Sequence, residues 1–403
     1  MHISIEEAIE RFGRGEMLIM SDSEERENEG DLIMPAGAVK PEHVNFVVSY
    51  GRGMLCAAIS RQRRIQLRIP PMVAENTSPM GTNFTITVDA AEGATTGISC
   101  ADRALTLNLL ADPDSTPEHF SRPGHISPVW AKPGGVLERP GHTEGVVDLC
   151  RLSGQVEAGM MCEIMNDDGT MARMADLERF SEEHGIPICT IHDLITWRVK
   201  NERHVESQVE VPIQNTHGLW TVRLYEDQLT GEEHICLIKG SLEELAQASN
   251  PLVRVHSQCF TGDTLGSLRC DCGPQLQQAM EQIAQEGCGA IVYMAQEGRG
   301  IGLRDKLRAY VLQDSGRDTV EANLDLGYAP DLRHYGACAQ ILMHLNVRRM
   351  RLLTNNPEKI KGLQRYGLEV ERASIEVGCT PYNQQYLKTK KTKMGHILEE
   401  IEQ

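Results

Sequence analysis

No run of apolar residues in this chain approaches the roughly 20 needed to cross a bilayer, which excludes a helical membrane-spanning protein. Positive charge is in deficit. Forty Lys and Arg face 57 Asp and Glu, which excludes a general affinity for nucleic acid, so an anionic substrate must be captured by local Arg and Lys clusters. The chain also lacks a leader of charged, apolar and small residues at its start. Its 12 cysteines sit in 403 residues, far more than a disulfide-stapled secreted scaffold, so a reducing cytoplasm is the expected compartment. The basic stretch Lys388-Thr-Lys-Lys-Thr-Lys393 is too short for a nucleic-acid patch and reads as a solvated tail.

A long disordered linker is missing as well, although the length exceeds one typical core and divides into two units of about 200 residues. The seam falls near residues 198 to 212. There Arg198-Val-Lys-Asn-Glu-Arg-His-Val-Glu-Ser-Gln-Val-Glu has charge and no apolar stripe, and reads as a helix end running into a connector. Within each half, short β-branched runs alternate with amphipathic stretches. The expected class is α/β (mixed α+β), as two consecutive mixed-sheet domains with layered helices over residues 1–202 and 203–403. Ser4-Ile-Glu-Glu7 is a capping box opening a helix, and Leu276, Ala279, Met280, Ile283 and Ala284 fall at helical spacing before a stop at Gly287.

The later half has the most specific signal, Cys259, Cys270 and Cys272 in the run Cys-Phe-Thr-Gly-Asp-Thr-Leu-Gly-Ser-Leu-Arg-Cys-Asp-Cys-Gly. Three soft thiolates at this spacing suit one zinc ion and leave its fourth tetrahedral position open, as a Lewis acid requires, whereas a fourth protein ligand would make the site structural. Just before them, Arg254-Val-His-Ser-Gln mixes a cation, a hydroxyl and an amide. Gln296-Glu-Gly-Arg-Gly-Ile-Gly302 follows the strand-like run from Gly289 to Met294; its glycines let backbone approach a phosphate while Arg299 supplies a bidentate charge. Asp331-Leu-Arg333 sets a carboxylate and a guanidinium two residues apart. Leu352-Leu-Thr-Asn-Asn-Pro-Glu-Lys359 ends a strand at a turn where Asn355 or Asn356 can cap a helix, Pro357 fits its first turn, and the free amides favour an anion.

In the first half, Ser21-Asp-Ser-Glu-Glu-Arg-Glu-Asn-Glu-Gly-Asp31 packs carboxylates around one arginine, between strand-like runs Met17 to Met20 and Leu32 to Pro35. Such a loop is either a solvated acidic surface or the seat of a hard divalent cation, where crowded carboxylates push their pKa values apart. The unit Arg-Pro-Gly-His occurs twice, at residues 122–125 and 139–142, each placing an imidazole on a rigid turn where it can bind metal or move protons. Thr95-Thr-Gly-Ile-Ser99, Asp102-Arg103 and Met161-Cys-Glu163 complete the set. Cys56, Cys100 and Cys338 read as packing thiols.

On these motifs, residues 209–398 resemble the GTP cyclohydrolase II family, whose order of cysteine triad, Gln-Glu-Gly-Arg-Gly-Ile-Gly, Asp-x-Arg and Thr-Asn-Asn-Pro they keep. The resemblance implies one zinc on Cys259, Cys270 and Cys272. It places GTP against Arg254, Val255, His256, Ser257, Gln258, Gln275, Glu297, Gly298, Arg299, Thr319, Thr354 and Lys359. Asp331 would be the proton acceptor and Arg333 the nucleophile at the α-phosphate, with Tyr310 nearby. The family usually has Glu where this chain has Gln258, which keeps the size and a carbonyl acceptor but loses a charge, so tuned rather than abolished activity is expected.

Residues 3–200 resemble 3,4-dihydroxy-2-butanone 4-phosphate synthase. That resemblance implies magnesium on Glu27 and His142, and ribulose 5-phosphate held by Arg26, Glu27, Asp31, Arg139, Pro140, Gly141, His142, Thr143 and Glu163. His125 and Glu163 would do the acid/base work. Ligand preference alone admits manganese as readily as magnesium, because imidazole is a borderline ligand for a hard ion. The joint expectation is a bifunctional riboflavin-precursor enzyme, a lyase fused to a hydrolase, acting on small molecules as a homodimer and releasing formate from each substrate. Two rivals stand beside it: a chain with one catalytic half, for which Gln258 is the hint, and a zinc-stabilised GTP-binding regulator.

Overall fold

The structure, a computed structural model of the chain, describes residues 1–403 except 25, 79, 329, 330, 332 and 399–403. It divides into two compact units, Met1–Arg198 and Val199–Gln403, each built on a seven-stranded mixed sheet with helices packed on it. Among the described residues no helix is long and apolar enough to cross a membrane.

In the first unit the strands are β1 (Leu18–Ser21), β2 (Gly30–Pro35), β3 (Cys56–Ile59), β4 (Val88–Ala90), β5 (Phe120–Trp130), β6 (Ala158–Glu163) and β7 (Ile188–Thr190), in the order β4-β5-β3-β6-β2-β1-β7. Period-2 alternation sends Ile19, Leu32, Ala57 and Met160 into one core and Leu18, Ile33, Cys56 and Met161 into the other. Both faces are covered, which is why β1 to β3 read as apolar runs rather than alternating ones. Ser4 caps the helix Ile5–Gly13 by accepting from Glu7 N at 3.2 Å, and the helix buries Ile5, Ala8 and Phe12 at helical spacing. Cys56 is buried in a sheet, as a packing thiol should be.

The second sheet runs β14-β13-β11-β12-β10-β9-β8, from β8 (Val205–Asn215), β9 (Gly218–Asp227), β10 (Glu233–Lys239), β11 (Leu252–Ser257), β12 (Gly289–Met294), β13 (Arg349–Leu353) and β14 (Glu369–Ala373). Strands β14, β13, β11 and β12 are mutually parallel; the rest pair antiparallel. The chain passes from β11 to β12 on one side and later adds β13 on the other. Strand order therefore reverses at β11, and open parallel sheets bind ligands outside the carboxyl ends of strands at such a switch point. All the later-half motifs except Asp331-Leu-Arg333 directly follow these carboxyl ends. The helix Cys272–Glu286 stops at Gly287, whose φ is +78°, where the sequence predicts it.

Two expectations fail here. The connector over Arg198 to Glu210 does not exist, because the helix Ile191–Asn201 is followed almost at once by β8, an edge strand exposed along most of its length. Having little to bury, it has no apolar stripe, and a bulge between Ser207 and Val209 breaks what alternation remains. Nor is Lys388–Lys393 a solvated tail: it lies in the helix Gln384–Met394, where Leu387, Thr389 and Lys390 are buried.

Candidate active sites

In the first unit the hairpin of β1 and β2 closes over the acidic loop, and Asp22 organises it. One Asp22 oxygen accepts from Glu27 N at 3.0 Å and from Arg26 Nη1 at 2.8 Å, the other from Glu29 N at 2.8 Å. The loop turns Glu27 toward His142, whose Nδ1 lies 3.7 Å from Glu27 Oε2 and 3.9 Å from Asp31 Oδ1. The ligand atoms of Asp22, Glu27 and His142 lie within 4.8 Å of one another, so Asp22 joins the two expected metal-binding residues. His142 opens the helix His142–Leu152, and Gly141 caps it because a Cβ there would meet Arg139 Nη1 at 2.3 Å. Arg139 pairs with Glu144 and donates to Thr82 Oγ1 at 3.1 Å, while the Thr143 hydroxyl turns inward to Met161 Sδ.

The electrostatics are those of a cation seat. His142 holds Glu27 down to about 2 with help from Arg26, although burial opposes it. Burial pushes Asp31 up to about 7. His142 is raised to about 9: burial disfavours its charge, but Asp31 and Glu27 outweigh burial. His142 Nε2 and Asp31 Oδ1 are buried without a hydrogen-bond partner among the described residues. An added divalent ion fits that deficit and that charge.

Glu163 stands opposite Asp31 across β2 and β6 and accepts from Met54 N at 2.8 Å. His125 lies on β5, two strands from β6, so strand spacing separates it from Glu163 by roughly 10 Å. Asp89 orients it, with Nδ1 to Oδ2 at 2.7 Å and the His125 amide donating to Oδ1 at 2.8 Å. Asp102, by contrast, is spent on the loop, accepting from Thr95 N, Thr95 Oγ1 and Gly97 N.

In the second unit one cavity faces the carboxyl ends of β11, β12 and β13. Arg254, His256, Ser257, Gln258 and Gln275 form one wall, and Gly298, Arg299, Thr319, Thr354 and Lys359 another. Cys259, Cys270, Cys272, Tyr310 and Arg333 also line it. Val255 buries its side chain and contributes its carbonyl, which accepts from Lys359 Nζ at 2.8 Å. Asn356, not Asn355, caps the helix Pro357–Gln364. Asp331 is held in a two-point pair with Arg333, whose Nη1 reaches Ser257 Oγ at 3.4 Å.

The three sulfurs gather as a metal requires. Tetrahedral geometry with zinc–sulfur bonds of about 2.3 Å puts sulfurs about 3.8 Å apart; Cys259 Sγ and Cys270 Sγ are 3.7 Å apart, and all three sulfurs lie within 4.8 Å. Contact among the thiols holds Cys259 down as a thiolate, while Cys270 is pushed up to about 11 and Cys272 further. Three thiolates cannot share this space without a cation. Gly262 is needed beside them, since its Cβ would meet Cys270 Sγ at 2.9 Å and Cys259 Sγ at 3.1 Å. Gly262→Ala is expected to weaken metal binding about 10- to 100-fold, measured by chelator competition. An unchanged affinity would show that the sulfurs do not act together.

Several contributors had no signal in the sequence. Lys306 donates to Cys259 Sγ at 3.0 Å and pairs with Glu297 Oε1 at 2.6 Å, setting a positive charge beside the thiolate. Asp271, between two cysteines, accepts from Lys390 Nζ at 2.6 Å and Gln275 Nε2 at 2.8 Å, and Gln275 accepts from Arg254. Arg254, Arg299 and Lys359 line the cavity with no carboxylate ion-pair partner among the described residues, and burial with Arg254 and Arg333 nearby pushes Lys359 down. Cations crowded so leave room for a polyanion.

Comparison with known proteins agrees with both halves. A family model described as 3,4-dihydroxy-2-butanone 4-phosphate synthase matches residues 6–197, and one described as GTP cyclohydrolase II matches residues 205–374. The chain is 51% identical over 398 residues to the riboflavin biosynthesis protein RibBA of Aquifex aeolicus, covering 98% of this chain and 97% of that one. Its counterpart in Phocaeicola vulgatus is also 51% identical, over 396 residues, with 98% and 97% covered. Among solved structures, RibBX from A. baumannii, described as a two-domain 3,4-dihydroxy-2-butanone 4-phosphate synthase, superposes with a TM-score of 0.73 at 35% identity, covering 93% of this chain and 100% of that one.

Proposed function

The chain belongs to the riboflavin-biosynthesis family that joins a 3,4-dihydroxy-2-butanone 4-phosphate synthase to a GTP cyclohydrolase II, and from that premise we propose which residues perform each reaction. The enzyme is bifunctional, a lyase and a hydrolase; residues 1–202 are assigned the sugar reaction and 203–403 the nucleotide reaction.

The observation that supports the nucleotide site is a trio of sulfurs at zinc spacing, opening into a cavity walled by cations without carboxylate partners. Zinc held by Cys259, Cys270 and Cys272 would supply Lewis acidity and an activated water. Arg254, Arg299 and Lys359 bind the triphosphate, Lys306 tempers the charge on Cys259, and Asp331 accepts a proton while keeping Arg333 aimed past Ser257. Gln258 lies on the substrate wall, so the loss of the usual Glu charge is felt by bound GTP directly. The test is stoichiometry: one formate and one diphosphate for each GTP consumed. GTP recovered unchanged from the protein would favour a binding regulator.

In the sugar site, Glu27 and His142 with Asp22 would hold magnesium or manganese, which stabilises an enediolate when bound. Arg26, Arg139 and the free amides at the start of the helix His142–Leu152 take the phosphorylated sugar, with Asp31, Pro140, Gly141 and Thr143 shaping the seat. Glu163 and His125 move protons. With Nδ1–H donated to Asp89, His125 keeps Nε2 for that transfer. Asp89→Asn is therefore expected to lower kcat for ribulose 5-phosphate about 10²- to 10⁴-fold, with KM changed far less, in a formate assay. Parent kcat would remove Asp89 from the reaction.

One observation favours a second reading, in which the first unit alone turns over: the superposing two-domain protein is described as a synthase only. Formate from the sugar but not from GTP would establish it.

A further inference from the structure

Past Met394 the chain stays beside the nucleotide cavity. Gly395, with φ +63°, ends the helix Gln384–Met394, and His396 N donates back to Lys390 O at 3.0 Å. The following residue is fastened as well, Ile397 N donating to Asn355 O at 2.9 Å on the turn after β13. Between these anchors the His396 imidazole lines the cavity with Arg299, Arg333, Lys359 and Lys390. Its Nε2 is buried and has no hydrogen-bond partner among the described residues. Such a group is costly to hold unless something in the cavity completes it. Burial and the four surrounding cations push its pKa down to about 3, so the ring is neutral. A neutral ring has one N–H to give, and an anion seated among those cations is the partner it lacks.

We propose that His396 contacts the substrate of the nucleotide reaction, its Nε2 donating to a phosphate oxygen of the bound nucleoside triphosphate, so that residues 384–398 form the wall that closes over the phosphates. The proposal rests on the GTP reading above. The same helix is tied to the metal loop through Lys390 and Asp271, and Arg299 reaches Met394 Sδ at 2.8 Å. The wall is thus joined both to the residues that hold the thiols and to those that take the phosphates.

The test compares His396→Ala and His396→Gln with the parent, by calorimetric binding of a non-hydrolysable GTP analogue and of GMP, with zinc content measured on each sample. His396→Ala is expected to weaken the triphosphate analogue about tenfold or more, the scale of a hydrogen bond to a charged group, and GMP by less than about threefold. His396→Gln, whose amide keeps a donor, is expected to recover most of the loss. Equal weakening of both nucleotides would move the contact to the base or ribose, and no weakening of either would make His396 structural; each result overturns the proposal. If His396→Ala loses its zinc or its fold, His396→Gln against the parent decides, since a donor at this position must keep tight triphosphate binding. A parent that binds the analogue but never turns over GTP would overturn the underlying reading instead.

Discussion

Cys270→Ala abolishes formate release from GTP, a fall of about 10³-fold or more, and leaves release from ribulose 5-phosphate at the parent rate. The size follows from the geometry. Cys270 Sγ is 3.7 Å from Cys259 Sγ in a trio whose charges only a cation can reconcile, and removing one thiol leaves two ligands where a catalytic zinc needs three. Lys306 then neutralises Cys259 unopposed. The sugar site shares none of these residues. Formate from each substrate and zinc per chain, measured on one sample, check the prediction; GTP turnover without zinc would contradict it.

Glu27→Gln produces the reverse pattern, a loss of about 10³-fold for ribulose 5-phosphate and none for GTP. The amide keeps the shape of the side chain but removes the charge that His142 and Arg26 hold in place. It also removes one of three groups available to a divalent ion, beside a helix start whose free amides still attract the sugar phosphate. Sugar binding therefore weakens less than kcat falls. If either substitution silenced both reactions with the fold preserved, two independent sites could not be maintained.

What could be read from the chain was what is local along it. The three cysteines, the glycine-rich turn after β12 and the capped turn after β13 each fit within a few residues, and the parallel half of the second sheet brings them to one edge. Contacts that cross the fold leave no such trace. Lys306 meets Cys259 across 47 positions, His125 meets Asp89 across 36 and Lys390 meets Asp271 across 119. Lys390 shows the cost of reading composition alone, because four lysines in six residues suggest solvent while the fold buries one of them on a carboxylate. Strand β8 was hidden for the opposite reason, having so little to bury that burial left no pattern.

The most direct measurement is formate release by the purified protein, with GTP and ribulose 5-phosphate supplied in separate reactions, each with and without a metal chelator. Two metal-dependent sites predict formate from both substrates and its loss from both when the metal is removed. Formate from neither substrate in the metal-replete protein, with GTP bound and unchanged, would contradict the account.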